Sequence, residues 1–208
     1  METRILKTEV DIAADVLRSG GLVAVPTETV YGLSADGLNE DAVNKIYEVK
    51  GRPETKPISL LVYDMESVKE FCENIPDEAY VMAKCFWPGP LTMILSKSEK
   101  VPLIVTAGGN TVGVRCPDHD ITREIIRKAG VPLATPSANI SGKPSPKSAD
   151  EVLAYFDGKI ECVVDGGRCS VGIESTIIEM TKKPFKVLRP GGLSVEDIKE
   201  KAGIEVIL

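Results

Sequence analysis

Apolar positions in this chain follow two periods. Runs such as Leu22 to Val25, Ile58 to Val62, Leu91 to Leu95, Thr111 to Arg115 and Val131 to Thr135 are short, apolar or β-branched, and read as strands. Between them apolar residues recur every three to four positions, as on one face of a helix. Thr8 with Asp11 has the spacing of a capping box, opening a helix through Ile12, Val16 and Leu17 that Gly20-Gly21 closes. Asn39 predicts the cap of a helix that buries Val43, Ile46 and Tyr47 and delivers Lys50 and Arg52 just past its end, where Pro53 helps to stop it. Helices are also predicted near Met65 to Cys72, over Asp77 to Phe86, which Trp87-Pro88-Gly89-Pro90 must break, and over Ile121 to Ala129. Ser148 with Glu151 and Ser194 with Asp197 repeat the capping spacing, and strands are expected near Ile160 to Val164, Ser175 to Glu179, Lys186 to Leu188 and Ile204 to Leu208. This alternation predicts a single α/β domain over 1–208, without repeats or linkers.

Composition narrows the partners. With 208 residues, 43% hydrophobic and 27% charged, the chain has the make-up of a soluble globular domain with a substantial core. A net charge of -6 opposes a long nucleic acid unless the basic residues are gathered locally, so a small anion is the easier partner. Five scattered cysteines (Cys72, Cys85, Cys116, Cys162, Cys169) with no C-x-x-C pair, and one histidine, indicate neither a disulfide framework nor structural zinc. The first residues lack the apolar core of a signal peptide and no run approaches membrane-spanning length, so a cytoplasmic protein without membrane contact is expected.

The familiar nucleotide motifs are missing: Ser141-Gly142-Lys143-Pro144 carries Pro where a phosphate loop needs a hydroxyl, and no G-x-G-x-x-G occurs. A single histidine argues against histidine triads and metallohydrolases, and His119 reads as a surface turn residue. Chemistry instead gathers where apolar runs meet Gly, Pro or Ser, the loops that carry binding residues on a rigid scaffold. Lys50-Gly51-Arg52 with Lys56, and Ser137-Ala138-Asn139 with Ser145, can hold phosphate. Taken alone, Lys50 and Arg52 read first as solvated charges at a helix end, and Ser137 and Asn139 can be plain turn residues. The loop from Pro136 to Lys147 leads to the helix that Ser148 opens, whose free N–H groups could face an anion.

Taken together, Pro26 to Leu33, Lys50 to Pro53 with Lys56-Pro57, Trp87 to Thr92, Val112 to Arg115, Pro136 to Asn139 with Ser141-Gly142 and Pro144-Ser145-Pro146, Asp165-Gly166-Gly167, Glu174 to Ile177 and Arg189-Pro190-Gly191 closely resemble the YrdC-like family of threonylcarbamoyl-AMP synthases. The resemblance covers nearly the whole chain, with the motifs in the family's order; Leu61, where some long members have histidine, and Thr135, where others have a small apolar residue, depart from the pattern. It implies a twisted mixed sheet with flanking helices around a large basic cavity, in the family's short, single-domain form. It implies a nucleotidyltransferase that makes L-threonylcarbamoyladenylate and pyrophosphate from L-threonine, bicarbonate and ATP, for threonylcarbamoyladenosine modification of tRNA beside the anticodon. The product would pass to a tRNA-modifying threonylcarbamoyl transferase.

By the same resemblance Lys50, Arg52, Ser137 and Asn139 are the catalytic candidates. Arg52, Lys56, Thr111, Ser137, Ser145 and Arg189 would bind ATP, and Thr29, Arg115, Thr135 and Ser175 would bind threonine. Mg2+ would arrive with ATP, with no separate protein-bound metal, since the motifs hold no carboxylate cluster. The competing expectation is an RNA-binding module that clamps a backbone in the same cavity without chemistry. Net charge and the 5% aromatic content weigh against it, leaving at most a weak RNA contact.

Overall fold

The period-two runs sort their side chains to two sides of a sheet. In the computed structural model, which describes residues 2–208, the N-terminal part of that sheet comes from β1 (Arg4–Leu6), β2 (Val23–Val25), β3 (Gly32–Asp36), β4 (Leu60–Leu61) and β5 (Cys72–Glu73), interleaved with α1 (Val10–Arg18), α2 (Glu40–Lys50) and α3 (Met65–Val68). After α4 (Asp77–Phe86) come β6 (Leu91–Lys97), β7 (Thr111–Arg115), α5 (Asp120–Ala129), β8 (Leu133–Ala134), α6 (Ala149–Phe156) and β9 (Cys162–Val164). The chain closes with β10 (Thr176–Glu179), β11 (Phe185–Arg189), α7 (Val195–Ala202) and β12 (Val206–Ile207). The mixed sheet runs β1-β9-β2-β3-β8-β4-β7-β6-β10-β11-β12, with β5 hung on β6.

Two cores follow from the alternation. Val23, Val25, Leu61, Leu133, Cys162 and Val164 pack with α1 and α5, whereas Ala24, Leu60, Ala134 and Val163 belong to the larger cluster with α2, α4, α6 and α7. Each of these four strands, β2, β4, β8 and β9, thus feeds both cores by turning successive residues to opposite faces, and a one-residue slip would exchange them.

Local chemistry explains most boundaries. Asn39 accepts from the N–H of Ala42 at 3.1 Å to start α2, and Gly51 at φ 57° ends it in the left-handed conformation that glycine adopts at little cost. Ser194 likewise accepts from the Asp197 N–H. The expected Thr8–Asp11 box does not form: α1 is preceded by Glu9, whose carboxylate turns back to the N–H groups of Lys7 and Thr8 at 2.7 and 2.9 Å. At α6 Ser148 caps Glu151, but the Glu151 carboxylate takes the Lys147 N–H at 2.8 Å, so this helix start is filled by its own side chains rather than left open to an anion. The helix expected over Met65 to Cys72 stops at Val68, and Cys72–Glu73 pairs with β6 instead.

Candidate active site

The cavity floor is one cross-strand row. Leu61 on β4 pairs with Arg115 on β7; Thr92 on β6 pairs with Ile177 on β10, which pairs in turn with Arg189 on β11. Thr92 lies one position beyond the Met93–Val114 pair, so the row continues from Arg115 to Thr92. All five line a cavity of about 240 Å³, walled by Thr27 with residues 29–32, Arg52 with residues 57–59, residues 135–137 and Glu174-Ser175. At about 4.8 Å per strand, Arg115 and Arg189 stand three steps or about 14 Å apart along the floor. The row therefore carries a cation toward each end, with the Thr92 hydroxyl and the apolar Ile177 between.

At one end Arg115 is buried against Glu28, with Nη2 and Oε1 2.8 Å apart. Neither atom makes an aligned hydrogen bond, so the contact is a buried charge pair rather than a fork. Nε donates to the Gly89 carbonyl at 3.2 Å, and the second oxygen of Glu28 accepts from the Asp118 N–H at 3.1 Å. Beside it, Thr29 Oγ1 lies 2.9 Å from Thr27 Oγ1, and Thr27 anchors the turn by donating to the Val30 carbonyl at 2.6 Å. Gly32 is required next to this loop because a Cβ there would stand 2.3 Å from Thr135 Cγ2. Thr135 itself donates to the Leu133 carbonyl at 3.0 Å and meets Ser34 at 2.8 Å.

At the other end Arg189 uses Nε and Nη2 on the Ser175 carbonyl, at 3.1 and 2.8 Å, and Nη1 on Glu174 Oε2 at 2.8 Å. The other carboxylate oxygen of Glu174 accepts from Ser145 Oγ at 3.0 Å. Ser175 Oγ lies 2.8 Å from Thr92 Oγ1 in the middle of the floor. Gly191 packs so closely on this segment that a Cβ would come within 2.3 Å of the Glu174 carbonyl.

Lys50 sits behind the wall instead of in the cavity. It is 1% exposed, and its ammonium donates to the carbonyls of Ser137 and Asn139, with Asn139 Oδ1 at 3.4 Å. Burial pulls its pKa down to about 7, while the three oxygens around Nζ favour the charged form. Ser137 Oγ donates to Asn139 Oδ1 at 2.5 Å, and Asn139 Nδ2 reaches the Lys143 carbonyl at 2.6 Å. Lys50 and Asn139 thereby set the shape of the turn that presents Ser137.

Of the residues singled out from sequence, Thr29, Arg52, Arg115, Thr135, Ser137, Ser175 and Arg189 line the cavity. Lys50 and Asn139 support its wall, and Ser145 reaches it through Glu174. Lys56 is exposed, its carbonyl accepting from Arg52 Nε at 3.3 Å, and Thr111 stands at the opposite end of β7 from Arg115; neither lines the cavity. The sequence reading gave no role to Glu28, Glu174 or Thr92, although all three fall within the segments that carried the resemblance. His119 is half-buried at the start of α5 rather than a surface turn residue: it packs against Gly166, and its Nδ1 is buried without a partner. No group of three or more potential metal ligands occurs among the described residues.

Residues 15–191 match the model of the Sua5/YciO/YrdC family, described as telomere recombination. The chain belongs to this family. Over 200 residues it is 50% identical to the threonylcarbamoyl-AMP synthase of Pyrococcus abyssi, covering 96% of this chain and 59% of that protein. The Bacillus subtilis threonylcarbamoyl-AMP synthase is 45% identical, covering 92% and 56%. The crystal structure of P. abyssi Sua5 complexed with L-threonine superposes with a TM-score of 0.96 at 48% identity, over 99% of this chain and 63% of that one. The chain thus spans somewhat more than half the length of these Sua5 relatives. The single mixed α/β domain described above is the fold that the Sua5 and YciO structures share. No helix among the described residues is long and apolar enough to cross a membrane.

Proposed function

We propose that this chain catalyses formation of L-threonylcarbamoyladenylate and pyrophosphate from L-threonine, bicarbonate and ATP, supplying a threonylcarbamoyl transferase that modifies tRNA. The observation that carries the reading is the floor row, with a buried arginine toward one end, a second arginine beside a serine toward the other, and the Thr92 hydroxyl between. The names of the relatives, and the threonine complex of one of them, support it.

In this reading Arg115 meets the threonine carboxylate, for which a planar guanidinium suits better than an ammonium. Thr29, Thr135 and Ser175 orient the amino acid. The threonine amine and bicarbonate give a carbamate with loss of water; a carbamate oxygen attacks the α-phosphorus of ATP, and the bond to the bridging oxygen of pyrophosphate breaks. Such displacement depends mainly on positioning and charge neutralisation, which a wall of arginines and hydroxyls supplies without a general base. Arg52, Arg189, Ser137 and Ser145 would meet the nucleotide, while Lys50 and Asn139 hold the Ser137 turn. Magnesium enters with ATP as part of the substrate. Lys56 and Thr111, off the cavity wall, would act on ATP only if the nucleotide extends past the rim.

Pyrophosphate release from ATP, measured with bicarbonate and either threonine, serine or no amino acid, tests this function. Release that threonine does not raise would sink it. A tRNA complex stable at physiological salt and indifferent to ATP would favour the RNA-binding module instead.

A further inference from the structure

Glu174 is the one carboxylate among the residues that line the cavity, and it is placed as a bound anion would be. One oxygen takes the Arg189 guanidinium at 2.8 Å and the other takes the Ser145 hydroxyl at 3.0 Å, the same two donors assigned above to the nucleotide. Its backbone is fixed, with the carbonyl accepting from the Gly192 N–H at 3.0 Å and Gly191 packed against it. Its side chain is 40% exposed, so it can leave without disturbing the sheet. Arg189 remains oriented when it does, because Nε and Nη2 hold the Ser175 carbonyl independently.

We infer that Glu174 is an internal stand-in for phosphate: it occupies the polyphosphate subsite of the empty cavity and is displaced when a triphosphate binds. A half-exposed ion pair is weak, so a polyanion with several charges and a fork of oxygens outcompetes one carboxylate. The exchange keeps Arg189 and Ser145 partnered in the empty site and keeps weaker monoanions out. It also ties nucleotide entry to the middle of the floor, since Glu174 adjoins Ser175, whose hydroxyl meets Thr92. This assignment rests on the synthase reading for the identity of the natural triphosphate, but its test does not.

The test is calorimetric titration of wild type, Glu174→Gln and Glu174→Asp with inorganic tripolyphosphate in a chelator, so that neither adenine nor magnesium contributes. Removing the competing charge should tighten tripolyphosphate binding roughly three- to ten-fold in Glu174→Gln. Glu174→Asp, which keeps the charge but withdraws it by one methylene, should fall between. Unchanged or weaker binding in a Gln variant whose unfolding transition matches wild type overturns the inference, as does absence of binding in all three. Weaker binding of magnesium–tripolyphosphate in the Gln variant would make Glu174 a metal ligand and also overturn it. Threonine-dependent pyrophosphate release, measured on the same wild-type sample, fails or succeeds independently and reports on the synthase reading alone.

Discussion

Arg115 and Arg189 lie on one row of the sheet, and each faces a glutamate, but under opposite conditions. Glu28 is buried behind Arg115, outside the cavity lining, whereas Glu174 stands half-exposed at the wall in front of Arg189. A buried pair cannot release one member without stranding a charge in low dielectric, while an exposed pair exchanges partners at little cost. The first end of the row is therefore preset for one ligand geometry, and the second is adjustable. An amino-acid carboxylate is a small target that rewards a fixed fork; a triphosphate is long and highly charged and can clear its own way.

The largest effect that would sharpen this contrast is on stability. Glu28→Ala leaves the Arg115 charge buried and unpaired and should cost about 3–5 kcal/mol in urea unfolding. Glu174→Ala should cost less than about 1 kcal/mol. Equal losses would erase the distinction between the two ends. Next, Arg115→Lys keeps the charge and loses the planar geometry, so threonine affinity should fall by about 1.5–3 kcal/mol, with ATP affinity little changed when each is titrated separately. Loss of ATP affinity instead would put Arg115 at the wrong end.

Lys50→Met tests the support beneath the adjustable end. It removes the donors to the Ser137 and Asn139 carbonyls and should cost about 1–3 kcal/mol in unfolding free energy. Turnover should fall because the Ser137 turn loosens, and a loss of turnover with stability intact would place the ammonium on the substrate instead. The smallest effect belongs to His119, beside the preset end. Burial holds its pKa below the ordinary value, so as pH falls the unfolded chain takes up a proton first. Its contribution is whole above the unfolded pKa of about 6.5 and is lost as pH drops through the lower folded value. His119→Gln should flatten the fall in stability as pH drops below about 6.5; an unchanged slope would remove His119 from the account.

Much of the fold was legible where the pattern was strong. Thr111–Arg115 and Asp77–Phe86 have the predicted boundaries, because one run alternates cleanly and the other is closed by Trp87-Pro88. β1 and β3 went unread: Arg4–Leu6 has three residues, and Gly32–Asp36 carries a glycine, a serine and an aspartate that become strand only because β2 and β8 flank it. In the site, the arginines and hydroxyls could be named because Gly- and Pro-bounded segments mark them. Their glutamate partners could not be assigned, since which charge faces which is settled only when distant strands align. Lys50 did leave a signal: it lies four residues after Ile46 and seven after Val43, continuing the buried stripe of α2, so its burial follows from the helical period.

The row from Leu61 to Arg189 also has a consequence for how the molecule comes into being. Its members are drawn from five strands, two of the joins are parallel, and the loop around Thr29 is pinned by the Gly32–Ser137 bridge. No contiguous half of the chain holds the whole row, and long-range parallel pairing is slow to form because loop closure precedes its reward. Ligand capture should therefore emerge only with the last strands to dock, which, on the proposed function, makes threonine or triphosphate binding a clock for the end of folding.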